Sequence, residues 1–218
     1  MINFSSSVDQ VVRRWPTPEA RRWVIDFLRE VSESEGALAV IALGSAVRPS
    51  VESEDLDLLM VCKDGRKSHW RAPIEIDLRA YQVSDVEKEL ASGGDLLTWA
   101  VKYGVALLDR GCVWTEIVNS WKHRLQLPDP EVAERRADLA HTQFEALEEV
   151  GDSAAANEVH VSCLTYRARA ALSRSGTFPA SRPELADQLR EIGEYELAKD
   201  LDSALAKRQR MASENAAV

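Results

Sequence analysis

Leu43-Gly44-Ser45, nine further residues, and then Asp55-Leu56-Asp57-Leu58 form the stretch on which the fold turns. Two carboxylates one residue apart stand inside an apolar run that continues through Leu59, Met60 and Val61. A strand sends alternate side chains to one face, so Asp55 and Asp57 should emerge together on the same side. Two anions that close raise each other's pKa unless positive charge lies between them. The usual remedy is a hard divalent cation, and oxygen-only ligands favour Mg2+ over zinc or copper. The pair therefore reads as a metal-binding edge; the competing reading is a surface pair on a half-buried edge strand. Just ahead, Val40-Ile41-Ala42-Leu43 is a short β-rich run entering Gly44-Ser45. A small turn with free N–H groups and a hydroxyl suits phosphate oxygens.

Further on, Pro73-Ile74-Glu75-Ile76-Asp77-Leu78-Arg79-Ala80-Tyr81 alternates apolar and charged residues. The spacing predicts a strand over 74–81, with Glu75, Asp77 and Arg79 on one face and Ile74, Ile76 and Leu78 facing the core. A charged solvent face of an edge strand accounts well for Glu75 and Arg79. It accounts poorly for three separate acids in this order.

Taken together, Gly-Ser, a nine-residue gap and Asp-x-Asp between apolar residues resemble the signature of the nucleotidyltransferase superfamily, which includes DNA polymerase beta and kanamycin nucleotidyltransferase. The resemblance implies that Gly44 and Ser45 contact a nucleoside triphosphate and that Asp55 and Asp57 hold two Mg2+ ions. Arg48, just past the turn, is the candidate for a further triphosphate contact; a plain surface arginine is the alternative. Ile76-Asp77-Leu78-Arg79 resembles the third-carboxylate strand of polymerase-beta-type enzymes, which makes Asp77 the first choice for a third metal ligand or general base. Pro73-Ile74-Glu75-Ile76 instead resembles the equivalent strand of streptomycin and spectinomycin adenylyltransferases, which keeps Glu75 as the second choice. One departure is Glu54, where many members carry Ser or Thr before the first Asp.

The 218 residues suffice for one large domain or two small ones, and 45% hydrophobic with 29% charged residues fits an ordinary globular protein. A net charge of -9 argues against a broad footprint for nucleic acid, and is compatible with a cationic small substrate. Cys62, Cys112 and Cys163 are widely spaced, with no C-x-x-C, so they imply neither disulfides nor zinc and read as buried filler in a reducing cytoplasm. No stretch is long and apolar enough to span a bilayer, and the expectation is a soluble, cytoplasmic protein.

Thr17-Pro18-Glu19 opens an amphipathic helix reaching about residue 33, with Thr17 as N-cap. Strands are predicted over 40–43, 56–62, 74–81 and 105–108, with helices between the last two. Ser84-Asp85-Val86-Glu87 has the form of a capping box, and Gly104 of a C-cap. Beyond Trp114 no strand pattern remains, and helices are expected over 131–150, 154–175, from 183, and to about 210, with 211–218 a frayed tail. The fold class is thus an α/β (α+β) core with a small mixed sheet, followed by an all-α helical bundle. The domains are read as 1–115 and 116–218, the boundary falling within 112–128.

Other signals weigh less. Arg136 and His141 resemble the Arg-x4-His ribonuclease motif of helical HEPN domains, a short pattern common by chance. Tyr166 and Arg169 share a helical face. Glu145, Glu148 and Glu149 offer an alternative base, as in kanamycin nucleotidyltransferase, against a solvated acidic face. Lys63, Arg66 and Lys67 read as a solvated turn, and His69, His123 and His160 as structural. The resemblance implies an enzyme transferring a nucleoside monophosphate, AMP first, from an NTP, ATP first, to a hydroxyl of a small acceptor. The alternatives are an antitoxin-type nucleotidyltransferase modifying a protein or RNA partner, and an inactive nucleotide-binding regulator. A homodimer is a further expectation from resemblance alone.

Overall fold

The computed structural model describes residues 4–48, 55–64, 70–93 and 95–216. The chain divides into two compact units, Met1–Gln126 and Leu127–Val218. The first is built on strands β1 (Ala37–Leu43), β2 (Leu56–Cys62), β3 (Ile76–Gln82) and β4 (Val105–Asp109). They form a mixed four-stranded sheet in the order β3-β2-β1-β4. β1 is antiparallel to both β2 and β4, whereas β2 and β3 run parallel.

Both faces of the central strands are covered, which is why β1 and β2 read as near-continuous apolar runs. On one face Val40, Ala42, Leu56, Leu58 and Met60 pack with helices α1 (Phe4–Val11) and α2 (Pro18–Glu33) through Val8, Val24, Phe27, Leu28 and Val31. On the other, Ile41, Leu43, Leu59 and Val61 pack with α3 (Val83–Ala91), α4 (Asp95–Tyr103) and α5 (Val113–Trp121) through Val86, Leu90, Leu97, Val101, Trp114 and Ile117. Each aliphatic side chain buried this fully contributes roughly 1.5–3 kcal/mol.

Local chemistry fixes the ends of these elements. Thr17 caps α2, its Oγ1 accepting from Ala20 N at 3.1 Å. At the end of β4, Asp109 accepts from Trp114 N (2.9 Å), Thr115 N (3.0 Å) and Thr115 Oγ1 (2.7 Å) and so caps α5. Its neighbour Arg110 donates to the carbonyls of Val31 (3.0 Å) and Ser32 at the end of α2. Because Trp114 and Ile117 are buried in the core and Trp121 and Leu125 pack against it, α5 belongs to the first unit. The two units meet at 126/127, inside the 112–128 window and past residue 115, where the sequence reading ends the first domain.

The second unit comprises α6 (Pro130–Glu149), α7 (Ser153–Arg174), α8 (Leu185–Glu191) and α9 (Tyr195–Ala216). Asp129 and Asp152 cap α6 and α7, accepting from Glu131 N and Ala155 N. Ala133, Ala137 and Ala140 line the buried stripe of α6, and small residues let two helices approach closely. Leu164, Leu172, Leu185, Leu189 and Leu201 join α7, α8 and α9 in one apolar core. Arg174 reaches Glu131 (3.2 Å) and Glu134 (2.6 Å), and Arg208 reaches Glu158 (2.7 Å). Among the described residues no helix is long and apolar enough to cross a membrane.

Several expectations fail for physical reasons. β3 begins at Ile76 because its pairing begins there, opposite Leu56; Ile74, expected in the core, sits in the preceding turn and is 98% exposed. The Ser84 capping box does not form, because α3 starts directly at the end of β3 with Gln82 in the cap position. The last helix continues to Ala216, past the expected fraying point. Cys62 and Cys163 are buried as expected, but Cys112 is exposed in a left-handed turn, with φ 59°. α1 has no counterpart in the sequence reading.

Gly104, between α4 and β4, is closely hemmed in by the core. A Cβ there would lie 2.5 Å from Ala100 O, 2.7 Å from Ile41 Cγ2 and 2.8 Å from Leu43 Cδ2. Gly104→Ala is expected to destabilise the protein by about 1–3 kcal/mol, the usual range for overpacking, read as a lowered midpoint in urea denaturation.

Candidate functional site

The carboxylates gather where β2 and β3 begin and β1 ends. Leu43, the last residue of β1, is the register partner of Asp57, and Asp57 is the register partner of Asp77 on β3. Parallel strands in direct register present the same face at paired positions, so Asp57 and Asp77 lie side by side, with backbones about 4.8 Å apart. Alternation puts Asp57 on the face of Leu59 and Val61, and Asp77 on the face of Tyr81, which packs with them. Asp57 is the position in β2 that breaks an otherwise buried strand. Asp55, exposed and just ahead of β2, acts on Asp57 through its charge.

Asp57 carries the electrostatic signature of the site. Its pKa is pushed up to about 6, by burial first and then by the charges of Asp55 and Asp77, with Arg79 opposing them. Arg79 does not cancel the effect because it is committed to Asp77, donating Nη2 (2.8 Å) and Nε (3.1 Å) to the same oxygen, Oδ2. Among the described residues no group of three or more His, Cys, Asp or Glu side chains is arranged to hold a metal ion. The three acids are neighbours, with Asp77 engaged by Arg79 and Asp55 in solvent. Glu75 lies in the turn before β3, where its carbonyl accepts from Leu56 N at 2.8 Å.

Gly44 is required for two reasons. Its φ of 78° and ψ of -167° belong to a region that side chains avoid. A Cβ there would also stand 2.7 Å from Asp57 Oδ2. The backbone of the turn thus passes directly over the Asp57 carboxylate. Ser45 opens a single 3-10 turn, Ser45–Val47, closed by Arg48 N donating to Ser45 O at 3.0 Å. The turn is held from outside by Arg13 N and Arg14 N, which donate to Ala46 O at 2.9 and 3.4 Å. The Arg48 guanidinium lies over the Tyr103 ring, 4.9 Å from its centroid.

Sequence reasoning missed the N-terminal clasp and the stacking of Arg48 on Tyr103. The clasp was signalled by Val8, Val11 and Val12 at helical spacing, but eight residues give a weak periodicity. Glu54, Arg66, Lys67 and His69 lie outside the described residues. Arg136 and His141, five residues apart on α6, are about 140° apart around the helix. Arg136 sits over Tyr166 (6.0 Å), whereas His141 pairs with Glu145 (3.4 Å). Tyr166 packs against the buried stripe of α6.

No protein-family model matches the chain, and no curated protein matches it. Among solved structures, it is similar to a nucleotidyltransferase-like protein from Exiguobacterium sibiricum 255-15, at 16% identity and a TM-score of 0.40, over 90% of this chain and 74% of that one.

The charge on Asp57 has a measurable consequence. Its pKa is about 6 in the folded chain against an ordinary 3.8, so the folded state holds this proton more tightly than the unfolded state. Stability from this group is greatest below pH 3.8 and falls as the pH rises through about 6, by at most roughly 3 kcal/mol. Asp57→Asn is therefore expected to unfold at higher urea concentration than the wild type at pH 8 without divalent cations, and at a similar concentration at pH 4. Equal midpoints at pH 8 would mean that the charge is already compensated.

Proposed function

We propose that the first unit binds a nucleoside triphosphate at the Gly44–Ser45 turn and transfers its nucleoside monophosphate, AMP first, to a hydroxyl of a small acceptor. The observation that carries this reading is the direct parallel register of Asp57 and Asp77 beside a glycine turn that admits no side chain. Asp55 and Asp57 offer carboxylate oxygens, the ligand type that a hard divalent cation takes. In this reading Asp55 and Asp57 hold Mg2+, and Asp77 joins them once Arg79 lets go or serves as the base. When bound, Mg2+ neutralises charge on the phosphates.

The chain's own groups have distinct tasks. Ser45 Oγ and the backbone N–H groups of the turn take phosphate oxygens, and Gly44 leaves them room. Asp77, with Glu75 as the alternative, accepts the acceptor's hydroxyl proton. The acceptor oxygen bonds to the α-phosphorus, the bond from that phosphorus to the bridging oxygen breaks, and pyrophosphate leaves. The net charge of -9 favours a cationic acceptor.

A second reading, a nucleotide binder without turnover, is favoured by the Arg79–Asp77 ion pair, which withholds the third carboxylate. Thermal shift with ATP and Mg2+ and pyrophosphate release across aminoglycoside, lincosamide and protein acceptors separate the two. The expected outcome is turnover that Asp57→Asn lowers by at least roughly a hundredfold, with the variant's fold intact. Binding without release for any acceptor would favour the second reading, and no binding of any NTP would end both.

A further inference from the structure

We infer that Arg13 and Arg14 form a cationic arm of the triphosphate site, supplied by the N-terminal segment to the turn at Gly44–Ser45; this rests on the nucleotide-binding reading above. The N–H groups of both residues donate to Ala46 O, at 2.9 and 3.4 Å, and Ala46 is the middle residue of the 3-10 turn that Ser45 opens. Val12, ahead of the pair, and Trp15, behind it, pack into the same apolar cluster as Ala46 and Val47. The backbone from which both side chains spring is therefore fixed against the turn. One step of the chain, about 3.8 Å, separates Ala46 from Ser45, a span that an arginine side chain covers.

Both arginines are exposed, and among the described residues neither guanidinium takes part in a hydrogen bond or an ion pair. Asp9 lies four residues before Arg13, the spacing at which an acid and a base pair on a helix. It is engaged elsewhere: Arg21, on α2, donates Nε (2.9 Å) and Nη2 (2.6 Å) to its two oxygens, and Trp15 Nε1 donates at 3.1 Å. Exposed arginines on α2 do find an acid, Arg22 at Glu19 (3.9 Å) and Arg29 at Asp26 (2.9 Å). Two adjacent guanidinium groups without an acid repel each other, and a bound anion relieves that. The neighbours set the class of anion. A polyphosphate brought to the turn meets the charge of Asp55, Asp57 and Asp77, and two cations rooted beside the turn offset it. Arginine suits the task, since its fork of N–H donors takes two phosphate oxygens at once and its charge is permanent.

The test is calorimetric titration of MgATP and of inorganic tripolyphosphate with Mg2+ into the wild type, Arg13→Met, Arg14→Met, the Arg13→Met/Arg14→Met double variant and Arg22→Met. The bonds to Ala46 are made by backbone N–H groups, so these substitutions leave the turn in place. Glutamine replaces methionine in any variant whose urea midpoint falls. Each single variant is expected to bind both ligands about three- to tenfold more weakly, and the double variant about ten- to a hundredfold. Arg22→Met, which removes one exposed positive charge from α2, should bind as the wild type does. Unchanged binding in the double variant overturns the inference. So does an equal loss in Arg22→Met, which would make net charge the cause, or a loss confined to MgATP, which would place the arginines against the nucleoside. If the wild type binds neither ligand, the nucleotide reading falls and this inference with it; if it binds both and the arginine variants are silent, the nucleotide reading stands without the arm.

Discussion

Like charges held side by side by a backbone ladder are the constraint on which the first unit depends. Seven consecutive pairs join β2 to β3 without offset, from Leu56–Ile76 to Cys62–Gln82, and the second of them is Asp57–Asp77. Backbone hydrogen bonds and the packing of Leu56, Leu58 and Ile76 fix that register. The two carboxylates have no freedom to separate along the strands. Their repulsion is met locally, by Arg79 on Asp77 and by a shifted titration of Asp57. A slip of one residue would relieve the repulsion and turn every side chain of β3 to the wrong face, so the core forbids it.

Much of this was legible in the residues. The run Leu56 to Cys62 is apolar at every position but Asp57, and an element buried on both faces leaves that pattern whatever its neighbours. Thr17 announced its helix through a short-range hydrogen bond that forms within three residues of the cap. The Asp-x-Asp pair and the glycine turn were read correctly as neighbours, since the register of Leu43 with Asp57 follows from folding β1 back on β2.

What the residues could not carry was anything decided by distant partners. Ile74 continues the alternation of β3 yet finds no strand opposite it, because β2 starts at Leu56 and the ladder starts with it. Ser84-x-x-Glu87 has the letters of a cap, but the end of β3 feeds α3 directly and leaves Ser84 inside the helix. The hold of Arg79 on Asp77 was equally hidden. Both were assigned to one face, and only the side-chain geometry shows the arginine spending two donors on one carboxylate oxygen.

The two backbone bonds from Arg13 and Arg14 to Ala46 give the N-terminal segment a mechanical connection to the glycine turn. Val8 and Val12 also lie in the same buried cluster as Ala46 and Val47, so the first helix is joined to the turn by side-chain packing as well as by that carbonyl. The segment is thus an anchor, and a change that loosens it removes two of the bonds that seat the turn above the acidic pair.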